Sequence, residues 1–492
     1  MPDGSMLNYA YDDAHRLVGI SDQSTGTAPA GNGSLRMQLA NLTGNKILYT
    51  LDAMGKRTTE SNFDPRGALA RTKTRVIDSL NRLQQYIGGT TYATAPTTAV
   101  TQYGYDNNGN VTSTTDPLGR VTTNNYDALN RLTAVIDPYN GASKPTTYLY
   151  DNANNLTRVT DPEGKSTEYT YNGYNNLITQ LSPDTGATKF TYNAMGNVVT
   201  KFDAMNRCSL TTYDNLHRAT AIRYFAATNA STNTAAGCAA ATTATLTVEE
   251  TIAYTFDAAA GGAGAKGRGT KITDNSGTLD YTYDANGRVT SKKHTLVSNA
   301  VQNGGATNVA KAVTYRYNAS GQMTDMVTPS GQLITYVYGA PNSAQPGKVT
   351  GVKVNGVDVI KGAEYKPFGP TQGWVWGNDS NPAPGPATGN GVYTTHLHLR
   401  DFDADYRPVT IESYLSTEAS SEFPANGYVR NIIWDQSSRI TAITVPGAIA
   451  GLSNGQSLNQ AFAYDQLDRL TTFNAGVAGA TTRDAGMALL PN

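Results

Sequence analysis

A short phrase that returns at nearly constant spacing organises this chain of 492 residues. The phrase joins an aromatic residue to Asp or Asn and then to a turn. In its most regular run, the acid or amide falls at Asp106, Asp127, Asp151, Asn172, Asn193 and Asp214, in steps of 21 or 24 residues. An internal repeat of this kind indicates one structural unit used many times.

A second phrase lies about half a period away, as in TDPLGR at Asp116 and TDPEGK at Asp161. Both phrases place Asp, Asn, Pro or Gly, which initiate tight turns, between Tyr, Thr and Val residues, which favour extended backbone. In YTYDANGRVT (281–290), a half-buried strand is predicted to enter a four-residue turn at 284–287 and to leave as a second strand. Short connections make consecutive strands antiparallel.

The composition argues against two classes of partner. The formal net charge is −1 and charged residues are 16%, so the chain has no basic field for nucleic acid. No apolar run approaches the roughly 20 residues that span a bilayer, and the N-terminus lacks the basic and apolar regions of a Sec-type signal. We therefore expect no nucleic-acid partner and no membrane span.

The chain has two cysteines, Cys208 and Cys238. They allow at most one bridge and match no zinc spacing. Because the N-terminus has no secretion signal, we expect two free thiols, with a disulfide as the open alternative.

The spacing and composition divide the chain into segments. The region 225–250 is rich in Ala, Thr and Asn and is interpreted as an excursion from the sheet rather than a core element. The predicted segments are repeats at 1–224 (most regular at 103–218), the insertion at 225–250, repeats at 251–380, a Pro/Gly linker at 381–391, final repeats at 392–473 and an atypical tail at 474–492.

Residues 352–359, VKVNGVDV, give the clearest single hairpin signal. Asn-Gly is the preferred pair for a two-residue type I′ turn. This register predicts that the four valines share one face, with the cross-strand pairs Val354 and Val357, Lys353 and Asp358, and Val352 and Val359.

The number of strands predicts the architecture. At about ten residues per strand and turn, the chain holds roughly forty strands, far more than the ~10 that an open twisted sheet tolerates. The predicted fold is all-β, a long antiparallel meander coiled into a spiralling sheet shell with one face toward an enclosed space. The alternative is a β-propeller with two units per blade, although the insertions fall without blade register.

Several phrases carry a family resemblance. YDALNRLTAVIDP, YDANGRVTSK and YDQLDRLTTF resemble the YD repeats of the Rhs family, which includes the shells of insecticidal toxin complexes and of teneurins. EYKPFGPTQGWVWGN resembles a stretch found in bacterial Rhs proteins, and the resemblance extends to about Leu470. It implies a hollow β-sheet shell that encloses a C-terminal toxin.

The chain also departs from that pattern. Bacterial members end their shell with a DPxGxxGG-like core segment and a variable toxin domain, neither of which is found here. Asp64, Asp116 and Asp161 are interpreted as turn residues without a protease role. The chain is therefore expected to be an internal portion of a longer shell, and its own shell is expected to be open because the chain is truncated. Its expected partners are the remainder of that shell, its toxin domain and a secretion apparatus component.

The resemblance also sets the expected location. The full-length protein is expected to be secreted or at the cell surface by a non-Sec route, and this chain alone to stay cytoplasmic.

Two groups of residues contain side chains that can bind metal ions. Asp401, Asp403, Asp405 and Glu412 occupy positions 1, 3, 5 and 12 of an EF-hand-like loop, but the required Gly is replaced by Tyr406, which favours a plain turn. His396 and His398 lie two apart on a predicted strand without a third ligand nearby, which favours a solvated or packed pair. We expect no metal and no cofactor. With no catalytic motif in a fitting context, we also expect no enzyme activity.

Two tryptophan residues indicate a candidate ligand site. Trp374 and Trp376 are predicted to share one face of a strand, where exposed rings could stack on a carbohydrate. The second function hypothesis is accordingly a cell-surface adhesion or carbohydrate-binding module. The alternative for these rings is packing between the shell and an insertion.

Overall fold

The fold is taken from a computed structural model of the chain. The structure describes residues 7–22, 44–90, 99–139, 144–225, 234–240, 248–297, 309–340, 343, 345–377, 396–415, 428–445, 459–466 and 468–475. The predicted linker at 381–391 and the tail beyond 475 lie outside this part. The predicted division of the chain into segments stays a prediction.

The described residues form 34 strands, a short helix α1 (Ala235–Ala239) and a 3₁₀ turn (Ala259–Gly261). The strands are β1 (Asn8–Tyr11), β2 (Leu17–Ser21), β3 (Lys46–Leu51), β4 (Arg57–Phe63), β5 (Leu69–Ile77), β6 (Leu83–Thr90), β7 (Val100–Tyr105), β8 (Val111–Thr115), β9 (Val121–Tyr126), β10 (Leu132–Ile136), β11 (Thr146–Tyr150), β12 (Leu156–Thr160), β13 (Ser166–Tyr171), β14 (Leu177–Ser182), β15 (Gly186–Tyr192), β16 (Val198–Phe202), β17 (Cys208–Tyr213), β18 (Ala219–Phe225), β19 (Val248–Phe256), β20 (Gly269–Asp274), β21 (Gly277–Tyr283), β22 (Val289–Leu296), β23 (Val309–Tyr317), β24 (Met323–Val327), β25 (Leu333–Tyr338), β26 (Val349–Val354), β27 (Val357–Tyr365), β28 (Thr371–Trp376), β29 (His396–Phe402), β30 (Pro408–Leu415), β31 (Tyr428–Trp434), β32 (Ile440–Thr444), β33 (Gln460–Tyr464) and β34 (Leu470–Ala475).

These strands make one continuous meander. Each strand pairs antiparallel with the next along the chain, from β1 with β2 to β33 with β34. The predicted all-β antiparallel meander is confirmed. A propeller would divide these strands into separate four-stranded blades, so this single sheet excludes that alternative.

Because the strands alternate in direction, their connections fall on two opposite rims of the ribbon. Turns that follow odd-numbered strands carry the tyrosine and acid phrases, and we call this row the YD rim. Connections that follow even-numbered strands form the loop rim, which holds the DPxG turns. The four longest connections, at 22–45, 226–247, 377–395 and 445–459, all belong to the loop rim. Insertions can therefore vary in length without interrupting the pairing of strands.

The turn at 284–287 shows how the acid fixes each hairpin. The Gly287 N–H donates to the Asp284 carbonyl at 2.9 Å, with Gly287 at a φ of +76°. The Asp284 Oδ1 accepts the N–H groups of Asn286 at 2.9 Å and Arg288 at 3.0 Å. This geometry confirms the predicted turn. It favours Gly or Asn at the fourth position because that residue is left-handed, although His217, Tyr406 and Asp468 also occupy it.

A β-bulge follows the turn in the hairpins of the YD rim. Tyr283 lies opposite Val289 while Thr282 lies opposite Ser291, so Thr290 is an extra residue. The same shift recurs before Tyr105, Tyr150, Tyr171, Tyr192, Tyr213, Tyr317 and Tyr338. On the loop rim, the hairpins β8–β9, β12–β13 and β16–β17 keep continuous register. Since bulges bend and twist a strand, bulges repeated along one rim coil the ribbon.

The hairpin at 352–359 confirms most of its predicted register. Asn355 and Gly356 have φ values of 51° and 84°, as a type I′ turn requires. Val354 pairs with Val357, and Lys353 pairs with Asp358. The third predicted pair is wrong, because a bulge places Val352 opposite Ile360 instead of Val359. That the four valines share one face stays a prediction.

The expectation of free thiols is also wrong. Cys208 on β17 and Cys238 on α1 form a disulfide with a Cα–Cα distance of 5.6 Å. Both cysteines are buried together with Leu210 and Phe225. Part of the predicted insertion is thus a core element, because α1 folds back onto the sheet. Side chains alternate between the two faces of a strand, so Cys208 and Tyr213, an odd number of positions apart on β17, lie on opposite faces. Helix α1 is bonded to Cys208 and therefore covers the face opposite the Tyr213 side chain.

Candidate functional site

Many turns of the YD rim are tied to the next by an arginine, and others by an asparagine at the same position, such as Asn110 and Asn155. Arg131 Nε donates to Asp127 Oδ2 at 2.7 Å, and its Nη1 donates to the carbonyl of Asp151 in the following turn at 3.1 Å. The guanidinium also lies 4.8 Å from the ring centroid of Tyr150. A planar, permanently charged group can make all three contacts at once.

The second tyrosine of each phrase completes this link. The Tyr150 hydroxyl donates to the Leu132 carbonyl of the preceding hairpin at 2.9 Å. The equivalent donors are Tyr105, Tyr126, Tyr171, Tyr192, Tyr213, Tyr283, Tyr317, Tyr338, Tyr365 and Tyr464. Trp434 substitutes for tyrosine and donates from Nε1 to the Pro408 carbonyl at 2.8 Å. These tyrosines therefore join one repeat to the next.

The local electrostatics keep this network in its working protonation state. The backbone N–H and guanidinium of Arg131 hold the pKa of Asp127 below its usual range, although burial opposes them. Burial raises the pKa of Tyr150. At neutral pH the carboxylate is thus ionised and the phenol keeps its proton, as the hydrogen bonds require.

We expect Tyr192→Phe to lower the free energy of unfolding by about 1 kcal/mol, because the Leu177 carbonyl loses a donor at 2.6 Å. The matched control is Tyr174→Phe, since Tyr174 is 87% exposed. Urea unfolding monitored by circular dichroism measures both. Equal midpoints for Tyr192→Phe and the control would show that the hydroxyl contributes nothing.

The YD rim of the last strands lies on the loop rim of the early strands. In the turn between β8 and β9, Arg120 Nη1 donates to Asp468 Oδ1 at 2.7 Å and to the Gln466 carbonyl at 3.0 Å. Both partners belong to the turn between β33 and β34. Arg439 also donates to Asp468 Oδ1 at 2.7 Å. We call this row of contacts the seam.

Three more contacts extend the seam. The Gly89 N–H donates to Asp405 Oδ1 at 2.6 Å, and the Ser437 hydroxyl donates to Asp116 Oδ2 at 3.3 Å. Arg469 lies 5.4 Å from the ring centroid of Tyr139. Each contact joins residues more than 300 positions apart. The ribbon therefore completes one turn of its coil after about two dozen strands. We call β1–β24 the first winding and β25–β34 the second winding.

A cavity of about 530 Å³ lies at the seam. Its lining includes Tyr86, Trp434, Arg120, Asp116 and Asp468. Hydrogen bonds from Arg120 hold the pKa of Asp468 below its usual range, and they outweigh the effect of burial to lower the pKa of Asp116. The charges lining the cavity pair with one another across the windings. The pair formed by Arg120 and Asp468 therefore joins the two windings at this cavity.

The structure separates the acids of the EF-hand-like pattern. Asp403 binds the backbone of its own turn and the Arg407 Nε at 2.6 Å, while Asp405 crosses the seam to Gly89. Asp401 lies opposite Thr410 in the sheet, and Glu412 lies opposite Leu399. Within the described residues, no group of three or more His, Cys, Asp or Glu side chains could hold a metal ion.

The predicted aromatic pair lies at the loop rim end of β28. The rings of Trp374 and Trp376 meet edge to face at 5.6 Å. His398 stacks on Trp374 with ring centroids 4.2 Å apart, and Arg400 lies 4.9 Å from the Trp374 ring centroid. Burial and then Arg400 lower the pKa of His398. Trp374 is therefore covered, whereas Trp376 is 40% exposed.

Comparison with known proteins agrees with this fold. The fold and the linked turns define a coiled, single-sheet repeat protein. The RHS repeat family model matches residues 126–166 and 150–187. Residues 126–187 therefore match RHS repeats, in agreement with the resemblance that the YD phrases carry. No curated protein matches it.

Solved structures share the architecture. The crystal structure of TcdB2-TccC3-TEV has a TM-score of 0.60 and 12% identity over 88% of this chain and 23% of that chain. A mutant of the Photorhabdus luminescens Tc holotoxin pore has a TM-score of 0.56 and 13% identity over 89% of this chain and 25% of that chain. The chain thus spans about a quarter of the length of the structures that it matches. In the described part of the chain, no helix has the length and apolar character needed to cross a bilayer.

Proposed function

We propose that this chain forms part of the wall of a hollow shell that encloses a toxin polypeptide and helps to deliver it. The observation that carries this proposal is the seam, where the second winding docks on the first through Arg120 and Asp468. A ribbon that seals against itself makes a continuous wall. The role is structural, since the repeated acids are used by turns and by arginines.

The distribution of buried side chains supports a wall rather than a globule. In the described part of the chain, the clusters of buried residues are small: one surrounds Cys208 and Phe225, and another contains Ala10 and Val18. Most strand residues are only half-buried. A sheet one layer thick has this pattern because neither face is fully covered by a second layer.

The partners follow from the same proposal. The remainder of an Rhs shell would complete the wall, its toxin domain would be the cargo, and a secretion apparatus component would carry the assembly out of the cell. The likeness to the Photorhabdus luminescens Tc holotoxin pore supports a toxin-related role. Secretion or surface display by a non-Sec route belongs to this proposal.

Protease protection tests the proposal. The full-length shell that contains this chain is prepared with a flexible, protease-sensitive peptide in place of its toxin domain, and its cleavage is compared with that of the same peptide free in solution. Enclosure predicts cleavage at least about tenfold slower in the fusion, because the protease reaches only the open form. Cleavage at the rate of the free peptide would contradict the proposal.

A carbohydrate-binding role at Trp374 and Trp376 is a second proposal. The observation that favours it is the exposure of the Trp376 ring, since exposed aromatic rings can stack on sugars. Binding on a glycan array that disappears in Trp376→Ala but persists in Trp434→Phe would support this role. If the chain bound no glycan on the array, the carbohydrate-binding role would be rejected.

A further inference from the structure

In two turns of the second winding, the third residue of the YD turn reaches across the seam, and in the last turn the fourth residue, Asp468, does so. Asp405 follows Asp403 by two positions and accepts the Gly89 N–H, and Ser437 follows Asp435 by two positions and donates to Asp116. In the second winding, this turn position therefore contacts the neighbouring winding.

In the first winding, the same position carries large apolar side chains that are exposed. These residues, with their exposed fractions, are Met54 (76%), Leu80 (67%), Leu129 (66%), Tyr174 (87%), Met195 (69%) and Leu216 (69%). The turn itself does not require them, because Asn286 and Ser320 occupy the equivalent position in other turns of the first winding, and Ser437 does so in the second. A single exposed apolar residue needs no explanation, but a row at a docking position marks an interaction surface.

The occupant of this surface is indicated by continuity with the seam. The YD rims of the first and second windings are one continuous row of turns. In the second winding, this row docks onto the loop rim of the first. The loop rim beyond β11 is not used by the seam contacts, and its described residues expose Met205, Val297, Val309, Val357 and Trp376. Each molecule thus exposes apolar side chains on both of the rims that such a contact would join.

We propose that the exposed apolar row on the YD rim of the first winding docks onto the free loop rim of a second copy of this chain. Two different surfaces meet in such a contact, so the association is head to tail and leaves a free surface at each end. Growth beyond dimers follows from this geometry. Because the contact is apolar rather than ionic, salt should not dissolve it.

Sedimentation velocity over about a hundredfold range of concentration tests this proposal. The full chain should form species larger than a dimer as its concentration rises. The triple variant Leu129→Ser, Met195→Ser and Leu216→Ser should weaken this association about a hundredfold or more, because three buried apolar side chains are lost. Serine already serves at this turn position at Ser320 and Ser437, so the turns should still form.

The matched control replaces exposed apolar residues on the faces of strands, namely Leu149, Leu181 and Val337, with serine. This control should associate as the unaltered chain does. Far-ultraviolet circular dichroism should be the same for all three proteins. The proposal would be overturned if the unaltered chain stayed monomeric at all concentrations. It would also be overturned if the rim variant and the control variant weakened association equally.

Discussion

Gly89→Ala should open the seam and separate the two windings. A Cβ atom at Gly89 would collide with the carbonyl of Ala404, which belongs to a turn of the second winding. The backbone carbonyl cannot move aside as a flexible side chain could. Overpacking of this kind costs about 1–3 kcal/mol, and here it opposes the contact between Gly89 and Asp405.

Hydrogen exchange measures this opening directly. The Gly89 amide should exchange about ten to a hundred times faster in the variant, because each 1.4 kcal/mol is a factor of ten. Amides in the middle of β13 should keep their protection. The control is Gly173→Ala, where a Cβ would meet no atom within 4 Å. Unchanged exchange at Gly89 in the variant would mean that the windings do not touch there.

Loss of the disulfide should release α1 from the sheet. Cys208 and Cys238 are 30 residues apart, and closing a loop of this length contributes about 3–4 kcal/mol in the chain-entropy account. Reduction, or the double variant Cys208→Ala and Cys238→Ala, should therefore lower the stability of the region around β16, β17 and α1. Leu210 and Phe225, which are buried with the disulfide, should become exposed.

Thermal unfolding with and without a reducing agent checks this prediction. The unaltered chain should unfold at a lower temperature when it is reduced, and the double alanine variant should not respond to the reductant. Peptide mapping under non-reducing conditions should recover a peptide that links Cys208 to Cys238. Free thiols at both positions in the native chain would contradict the structure.

The sequence predicted the elements that depend on local chemistry. The turn at 284–287 followed from Asp, Gly and their spacing, because the acid binds backbone N–H groups only four residues away. The type I′ turn at Asn355 and Gly356 followed from two residues that accept positive φ. The meander followed from the shortness of such turns. Local rules therefore suffice for the turn residues themselves.

Contacts between distant parts of the chain could not be predicted in this way. Arg120 and Asp468 each belong to a phrase that occurs many times, so nothing in the residues singles out this pair. Cys238 lies in a segment of low complexity, and its pairing depends on how α1 folds back. The position of the bulge at Val352 depends on how both neighbouring strands fit together. The seam, the disulfide and the bulge are therefore products of tertiary structure.

Disulfide trapping across the seam tests the coiled ribbon most directly. Ser437 and Asp116 are 321 positions apart, yet their side chains lie 3.3 Å from each other. In the double variant Asp116→Cys and Ser437→Cys, mild oxidation of the monomer should link the two positions. In the control double variant Asp161→Cys and Ser437→Cys, the two cysteines should stay unlinked. A folded monomer in which 116 and 437 never become linked would contradict the closed wall.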